Sequence, residues 1–351
     1  MRFKLLILLF LSFFVSCKND GSSSKSDLPE SIGGSKKILV VAEEDFFSSS
    51  VGDSLSDVFK TFYPGLISEE SFFSANKISP QKFNDLYKTQ RLIVVPIILD
   101  RPDYFQKILS TEVIEKVSTG DVFILEKRDV WAQNQFVYFL VARTVDEFKI
   151  QLFKNKNALL ELIDNKLVEG VLVEMKHKNR SSDLEKLVSS TGLDIVIPEK
   201  YLLAKDTTDF LWLRSYRKDA DLNLVISSRR YNSRDQFSKK SLIELRDSVC
   251  SLIFVDPVDT ASFMVTETYL EPVLSSLESA NGYTKKMNGL WRINNFRLGG
   301  GSFVSYSFLN PEKSRQYYVE GFVFAPQKEK LQYLRKLDAT LKSVTFLKKK
   351  D

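Results

Sequence analysis

Residues 316–344 have the sequence QYYVEGFVFAPQKEKLQYLRKLDATLKSV, and they contain both kinds of element from which this fold is predicted. The segment Gln316–Phe324 is rich in aromatic and β-branched residues, which is typical of a strand. A helix is then predicted from Ala325-Pro326, because proline is favoured in the first helical turn. Its apolar stripe at helical spacing consists of Leu331, Leu334, Leu337, Leu341 and Val344. The stretch therefore predicts a strand whose sheet is covered by an amphipathic helix.

The residues before this stretch predict more strands and one further helix. Runs 210–217 and 223–228 alternate apolar and polar residues, as expected for a hairpin with one solvent-exposed face. The helix is predicted over 239–253. Other strands are predicted at 193–197, 263–268, 289–294 and 302–308. The last two form a hairpin in which we expect Trp291 to belong to the core.

The first half of the chain follows the same scheme. Strands are predicted at 37–42, 91–99, 122–127 and 135–143, and helices at 52–59, 81–90 and 103–117. Pro96 lies inside the second of these strands and favours an edge position or a bulge, because it has no N–H to donate. Residues 144–191 predict a long, charged helical region with breaks near Gly170 and Asn179.

The order of these elements predicts the fold class. Runs of strands followed by packing helices are typical of α+β proteins. We therefore predict an α+β fold with largely antiparallel sheets packed by helices. It divides into two similar-sized halves, 36–190 and 191–347.

Composition places the chain among globular proteins, since 43% of its 351 residues are apolar and 27% are charged. Fifty Lys and Arg against 45 Asp and Glu give a net charge of +5, too weak and dispersed to indicate a nucleic-acid partner. The single histidine, His177, lies in a basic segment that predicts an exposed helix end. One histidine and two cysteines exclude a histidine-rich zinc site, and we expect neither a metal nor a cofactor.

Residues 1–16 have the features of a secretory signal peptide. Arg2 and Lys4 precede an apolar run, Leu5–Val15, that is too short to span a hydrocarbon core of about 30 Å. The run leads into Phe14-Val15-Ser16-Cys17, where a small residue precedes a cysteine. This pattern resembles the lipobox of bacterial lipoproteins, which are cleaved before the cysteine and acylated on it. We therefore predict that the mature chain begins at a lipid-modified Cys17.

The residues that follow predict a tether and a location. Residues 17–35 are rich in Ser, Gly, Lys and Asp, which is the composition of a flexible linker. With Cys17 acylated, Cys250 has no partner in the chain, and its place beside a helical apolar stripe predicts a buried thiol. Lys18-Asn19-Asp20 lacks the paired acids that serve some Bacteroidota as a surface-export signal. We therefore expect attachment to the periplasmic face of the outer membrane.

Three loop residues, Trp131, Gln133 and Asn134, form a first candidate site. An indole beside two amides resembles an edge on which a sugar or a peptide stacks. The alternative interpretation is an aromatic plug beneath a loop.

Two further candidate sites lie in the second half of the chain. Asp256 and Asp259 are three residues apart in a proline-containing loop, which suits turn chemistry or a pair of catalytic acids. Gly300 and Gly301 belong to a glycine run that precedes a strand. The run predicts a tight turn or bulge with positive φ, or a close backbone approach to a ligand.

Five stretches of the chain together carry a resemblance. They are Val51–Ser54, Asp129–Gln135, Asp209–Arg214, Gly289–Arg292 followed by Gly300–Tyr306, and Gly321–Pro326 followed by 328–341. In this order, over about residues 36–345, they resemble a family of Bacteroidota lipoproteins catalogued only as a domain of unknown function. The resemblance implies a location in the envelope of a Gram-negative bacterium. It implies no activity and no catalytic residues.

These observations favour a non-enzymatic envelope lipoprotein that acts as a binding or assembly factor for a protein or glycan. One alternative is an envelope hydrolase acting on glycan or peptidoglycan, with acids such as Asp256 and Asp259. Another is a carrier of lipid or a small molecule. A hydrolase requires a deep cleft with converging carboxylates, a carrier an enclosed apolar cavity, and a binding module a shallow apolar or aromatic patch.

The anchor gives the first testable prediction. The variant Cys17→Ser removes the thiol that would be acylated, so it should yield a soluble or precursor form without lipid. Metabolic labelling with a palmitate analogue measures this directly. Equal label on the wild type and the variant would contradict the lipid assignment.

Overall fold

The computed structural model describes residues 28–34, 36–253, 261–295 and 299–347. The first half contains five strands: β1 (Lys37–Val41), β2 (Ser74–Ile78), β3 (Leu92–Ile98), β4 (Ile124–Arg128) and β5 (Phe136–Ala142). Its helices are α1 (Glu44–Phe47), α2 (Ser50–Phe59), α3 (Asp85–Lys88), α4 (Thr111–Ser118), α5 (Val145–His177) and α6 (Ser182–Ser189).

The second half is built mainly of strands. Two helices, α7 (Lys239–Cys250) and α8 (Leu331–Lys342), accompany them. The strands are β6 (Leu193–Asp194), β7 (Leu202–Thr207), β8 (Phe210–Tyr216), β9 (Asp221–Arg230), β10 (Met264–Thr266), β11 (Val273–Ser279), β12 (Gly282–Ile293), β13 (Gly300–Asn310), β14 (Arg315–Phe324) and β15 (Thr345–Phe346). The predicted α+β class is confirmed.

The first five strands form one sheet in the order β2-β1-β3-β5-β4. Three of its four pairings are parallel, and only β4 with β5 is antiparallel. One face packs under α5, with Phe148 and Leu152 against Val94 and Tyr138. The other face lies under Phe105 and the segments that connect the strands. Because both faces are covered, β3 and β5 are apolar along their whole length.

Pro96 does not mark an edge, so that prediction is wrong. It lies in β3, at the centre of the sheet, and pairs with Leu140 of β5. The ladder between β3 and β1 ends at Val94, two residues before the proline. At Pro96, β3 no longer pairs with β1, so the N–H that proline lacks is not needed on that side of the strand.

The expected helix break at Gly170 is also wrong, because α5 runs unbroken over 33 residues. Gly170 is instead a packing position, since a Cβ there would lie 3.4 Å from Cδ of the buried Arg91 side chain. The break expected near Asn179 is confirmed, because α5 ends at His177 and α6 begins at Ser182. Within the described ranges, no helix has both the length and the apolar character needed to cross a membrane.

The eight-stranded sheet of the second half has the order β10-β12-β13-β14-β9-β8-β7, with β11 also paired to β12. Its pairings are antiparallel throughout, and β6 with β15 forms a small antiparallel pair. The predicted hairpin of β8 and β9 is confirmed. Strands β7 and β11 were not predicted from the sequence, because both are mostly exposed and neither alternates apolar and polar residues regularly.

Helix α8 begins at Leu331 rather than at Ala325, and Glu70 explains the difference. Its two carboxylate oxygens accept hydrogen bonds from the Lys330 and Leu331 backbone N–H groups, at 2.7 and 2.9 Å. A carboxylate at this end also complements the helix dipole. The first turn is thus capped from the other half of the chain, and Pro326 lies in the turn before it.

One hydrophobic core extends across both halves. Leu334, Leu337 and Leu341 of α8 lie in the same cluster as Leu160 and Ile163 of α5. All five residues of the predicted apolar stripe of α8 are therefore part of the core.

A buried ion pair lies inside this core. Arg335 of α8 donates from Nε to Oδ1 of Asp164 on α5 at 2.7 Å, and from Nη2 to the Phe72 carbonyl at 3.0 Å. Tyr63 Oη donates to the other Asp164 oxygen at 3.3 Å, and burial raises the pKa of this tyrosine well above its usual value. Because Asp164 and Arg335 belong to different halves of the chain, this buried ion pair connects the two halves.

A second buried carboxylate, Asp338, joins α8 to the large sheet. It accepts hydrogen bonds from Tyr306 Oη and Lys286 Nζ, both at 2.7 Å. Burial alone would raise the pKa of Asp338, but the positive charges of Lys286 and Lys342 and these hydrogen bonds lower it below its usual value. Asp338 is therefore held as an anion in the core.

The core pair predicts how the protein unfolds. Arg335→Met leaves Asp164 buried without its partner, so it should lower the free energy of unfolding by about 3–5 kcal/mol. Urea denaturation measures this. Because one core spans both halves, both should unfold in a single transition.

The double variant Asp164→Leu/Arg335→Met is the control. Replacing both charges by apolar groups should recover most of the stability. Two separate transitions in the wild type, or an Arg335→Met protein as stable as the wild type, would contradict this account.

Candidate functional site

The loop between β4 and β5 contains the first predicted site. The Trp131 ring is partly buried and meets Phe83 edge to face, with 5.2 Å between ring centroids. Its backbone N–H donates to Oε1 of the buried Gln135 side chain at 2.9 Å. Asn134 has a φ of 57°, a conformation that asparagine tolerates better than most residues. Trp131 thus fits the alternative interpretation, in which its ring packs beneath the loop rather than forming an open stacking surface.

Gln133 and Asn134 bind a peptide, and that peptide is the chain's own segment 28–31. Gln133 Nε2 donates to the Leu28 carbonyl at 2.6 Å, and its backbone N–H donates to the Pro29 carbonyl at 2.8 Å. Ser31 donates from its backbone N–H to the Gln133 carbonyl and from its hydroxyl to the Asn134 carbonyl. These bonds fix the place where the described chain begins.

The two predicted glycines belong to a different sheet from Trp131. Gly300 and Gly301 lie in β13, opposite Arg292 and Trp291 of β12. The positive φ expected in this glycine run is found at Gly299, at 155°, and neither Gly300 nor Gly301 has one.

Gly301 is needed for a packing reason. A Cβ there would lie 2.0 Å from the Val323 carbonyl oxygen and 2.7 Å from Trp291 Nε1. The indole crosses this glycine and donates to the Val323 carbonyl at 3.3 Å. Trp291 is buried, as predicted, and its ring packs at 5.7 Å from Phe322. An aromatic ring lying over a glycine on the next strand is a known way to stabilise a sheet.

Asp256, Asp259 and Cys17 lie outside the described residues. His177 is exposed at the end of α5, as predicted. Cys250 is buried and forms no disulfide, also as predicted.

The surroundings of Cys250 do not activate its thiol. Burial raises the pKa of Cys250 above its usual value, and the opposing charge of the nearby Arg246 does not reverse this. Arg246 is itself buried and donates to Glu320 at 2.9 Å and to Thr266 Oγ1 at 3.0 Å. A reactive cysteine needs a lowered pKa and access to substrate, and Cys250 has neither.

The strongest candidate site lies on the outer face of the large sheet, the face on which α7 packs. Side chains at alternate positions of β8 point to this face, and Trp212, Arg214 and Tyr216 form a stack there. The Arg214 guanidinium carbon lies 4.3 Å from the Tyr216 ring centroid and 5.6 Å from that of Trp212. We call these three residues the aromatic platform.

Strand β9 holds the platform in place. Arg214 makes a multiply bonded ion pair with Asp221, including Nε to Oδ2 at 2.9 Å. Trp212 Nε1 donates to Oδ1 of the buried Asn223 at 2.9 Å. Tyr216 packs against the Arg214 guanidinium and is 62% exposed. The platform therefore presents a fixed Trp and Arg and an accessible Tyr ring.

The apolar character of this face continues onto β14. Asp221 of β9 pairs with Phe324 of β14 on one side and with Tyr216 of β8 on the other. Phe324 is 38% exposed, and its ring centroid lies 6.2 Å from that of Trp291. Leu202 of the edge strand β7, opposite Arg214, is also exposed.

A groove of about 370 Å³ lies beside the platform, between α7 and the β8–β9 hairpin. Its apolar floor includes Phe210, Leu245 and Val249. Its rim carries two carboxylates, Asp209 and Glu244. Asp209 is paired with Arg315. The groove is open along its length, in contrast to the enclosed pockets in which catalytic acids are shielded from water.

In the described part of the chain, the residue types that ligate metals are spread apart. No three His, Cys, Asp or Glu side chains within it are placed to hold a metal ion. Sequence analysis missed the platform, although it predicted the strand that carries it. The signal was available, because Trp212, Arg214 and Tyr216 occupy every second position of a strand with one solvent-exposed face.

The fold and this site define an α+β protein with a shallow aromatic surface. Comparison with known families gives two matches. Residues 31–176 match the family described as "Domain of unknown function (DUF8532)", and residues 180–343 match "Domain of unknown function (DUF4837)". The expected status, a domain of unknown function, is thus confirmed, but two family models match where one family was expected over residues 36–345. No curated protein matches the chain.

The packing of Trp291 on Gly301 gives a stability prediction. Trp291→Ala removes a large buried side chain and should cost about 3–5 kcal/mol of unfolding free energy. Gly301→Ala should also be strongly destabilising, because the added Cβ meets a backbone oxygen. Thermal and urea unfolding measure both.

Gly34→Ala is the matched control, since nothing lies within 4 Å of a Cβ at that position. It should change the unfolding free energy by no more than about 0.5 kcal/mol. An unchanged unfolding midpoint for Trp291→Ala would defeat the core assignment.

Proposed function

We propose that this protein is a non-enzymatic binding factor of the bacterial cell envelope, held to a membrane by lipid on Cys17, and that it binds an envelope protein through the aromatic platform. The observation that carries the proposal is the stack of Trp212, Arg214 and Tyr216 on an accessible sheet face. Trp, Tyr and Arg are the residue types most enriched among those that dominate protein–protein binding energy.

The platform is organised before any partner arrives. Asp221 orients the Arg214 guanidinium, and Asn223 orients the Trp212 indole. Side chains already held in one conformation lose little entropy on binding, so more of the contact energy appears as affinity. The neighbouring exposed rings of Tyr216 and Phe324 enlarge the apolar area available to a partner.

The location follows from the N-terminal sequence. The lipobox-like Phe14-Val15-Ser16-Cys17 and the tether composition of residues 17–35 support a lipoprotein. The resemblance to Bacteroidota lipoproteins supports attachment to an outer membrane. Asn19 interrupts the acidic pair expected of a surface-export signal after Lys18, which favours the periplasmic face of that membrane.

The two rival functions have less support. A hydrolase needs converging acids in a cleft, whereas Asp209 at the described groove is already paired with Arg315. A carrier needs an enclosed apolar space, whereas a cavity beside Phe46 and Leu55 holds only about 10 Å³. That volume is about one water molecule.

A photo-crosslinking amino acid at Leu202 tests the platform in living cells. Leu202 is exposed and lies beside Arg214 in the sheet register. We expect one discrete protein adduct from this position. Tyr216→Ala should reduce it by about tenfold or more, because the loss of a dominant contact costs about 2 kcal/mol or more of binding.

The same crosslinker at Tyr269 is the matched control, since Tyr269 is 91% exposed and lies outside the platform. Identical adducts from both positions, or an adduct unaffected by Tyr216→Ala, would contradict the proposal. Capture of glycan in place of protein would assign the site to a saccharide instead.

A further inference from the structure

Six large apolar side chains are exposed on loops and short helices of the first half. We call them the tether-side patch: Ile32, Leu86, Tyr87, Tyr104, Ile108 and Val130. Leu86, Tyr104 and Ile108 are each more than half exposed, at 65%, 62% and 56%. Exposed apolar residues gathered on one side of a domain are a signature of a contact surface.

A row of packed rings connects the segments that carry Val130, Leu86, Tyr87 and Tyr104. Trp131 meets Phe83 at 5.2 Å, Phe83 meets Phe105 at 6.1 Å, and Phe105 meets Tyr104 at 5.0 Å. Val130 adjoins Trp131 in the chain, and α3, which carries Leu86 and Tyr87, follows Phe83. The row lies over the face of the five-stranded sheet that is opposite α5.

The first described residues lie at the edge of this patch. Ile32 donates its backbone N–H to the Thr89 carbonyl at 2.8 Å, directly after α3. Gln133, next to the Trp131 loop, holds Leu28. The chain therefore leaves the body toward its N-terminus beside the patch.

The length of the preceding chain limits the distance to the membrane. Leu28 is eleven residues from Cys17. Even a fully extended chain of that length spans at most about 40 Å. A lipid on Cys17 thus keeps the side of the body that holds Leu28 near the bilayer surface. This confinement favours contact between the patch and the bilayer in the same way as a higher effective concentration does.

We propose that the tether-side patch rests on the lipid bilayer to which Cys17 is anchored, so that the body lies against the membrane with a fixed orientation. This inference rests on the proposed lipid anchor. Tyr87 and Tyr104 suit such a contact, because tyrosine has an apolar ring and a polar tip and is enriched at the level of lipid headgroups. On α3, Lys88 is paired with Asp85, so the apolar side chains Leu86 and Tyr87 lie beside a neutral ion pair.

The test uses the full, lipid-modified protein in vesicles of phosphatidylethanolamine and phosphatidylglycerol that carry brominated acyl chains. An environment-sensitive fluorophore is attached through Leu86→Cys or, separately, Tyr104→Cys. The native Cys250 should not react, because it is buried and its pKa is raised. We expect a blue-shifted emission and loss of most of the fluorescence to the bromines at both positions.

Phe153→Cys is the matched control. Phe153 is 84% exposed on α5, across the sheet from the patch, so its label should keep the emission it has in water. Equal quenching at all three positions, or none at Leu86 and Tyr104 in protein that floats with the vesicles, would overturn the docking. Failure of the protein to float with the vesicles would overturn the anchor, and the docking with it.

Discussion

The structure depends on carboxylates of the first half that hold helix α8 of the second. Glu70 satisfies two backbone N–H groups at the start of α8, and Asp164 pairs with Arg335 one turn further on. These groups are buried, so the loss of either partner would leave an unpaired charge or donor in an apolar environment. Helix α8 therefore acts as a shared element, and its apolar stripe supports the large sheet from within.

A buried ion pair also explains why the outer face of that sheet is covered only in part. Its single described helix, α7, is fixed over part of the sheet by the buried pair of Arg246 with Glu320. The Arg246 guanidinium also lies 3.9 Å from the Phe303 ring centroid, which adds a cation–π contact. Helix α7 is thus held at one place, and the row of β8 side chains beyond it remains partly in solvent. The platform is the part of the face that this helix does not cover.

Much of the fold follows from local sequence, and the failures have physical causes. The strands β3, β5, β13 and β14 were predicted because long apolar or aromatic runs leave few alternatives. The start of α8 was misplaced because its cap, Glu70, is more than 250 residues away in the chain. No local pattern contains such a contact. The central position of Pro96 was missed for a similar reason, since the end of the β1 ladder is a property of the sheet.

The clamp of Gln133 on residues 28–31 has a mechanical consequence. A load applied to the chain ahead of Leu28 enters the body through a few backbone hydrogen bonds at the start of β5 and the end of α3. These bonds come before β1 in the chain, so a pulling force would load them before it loaded the β1 ladder. The large sheet and its platform follow the first half in the chain, so they lie farther from the point where the load enters. Strain from such a load would thus be felt at the Gln133 clamp before it reached the platform.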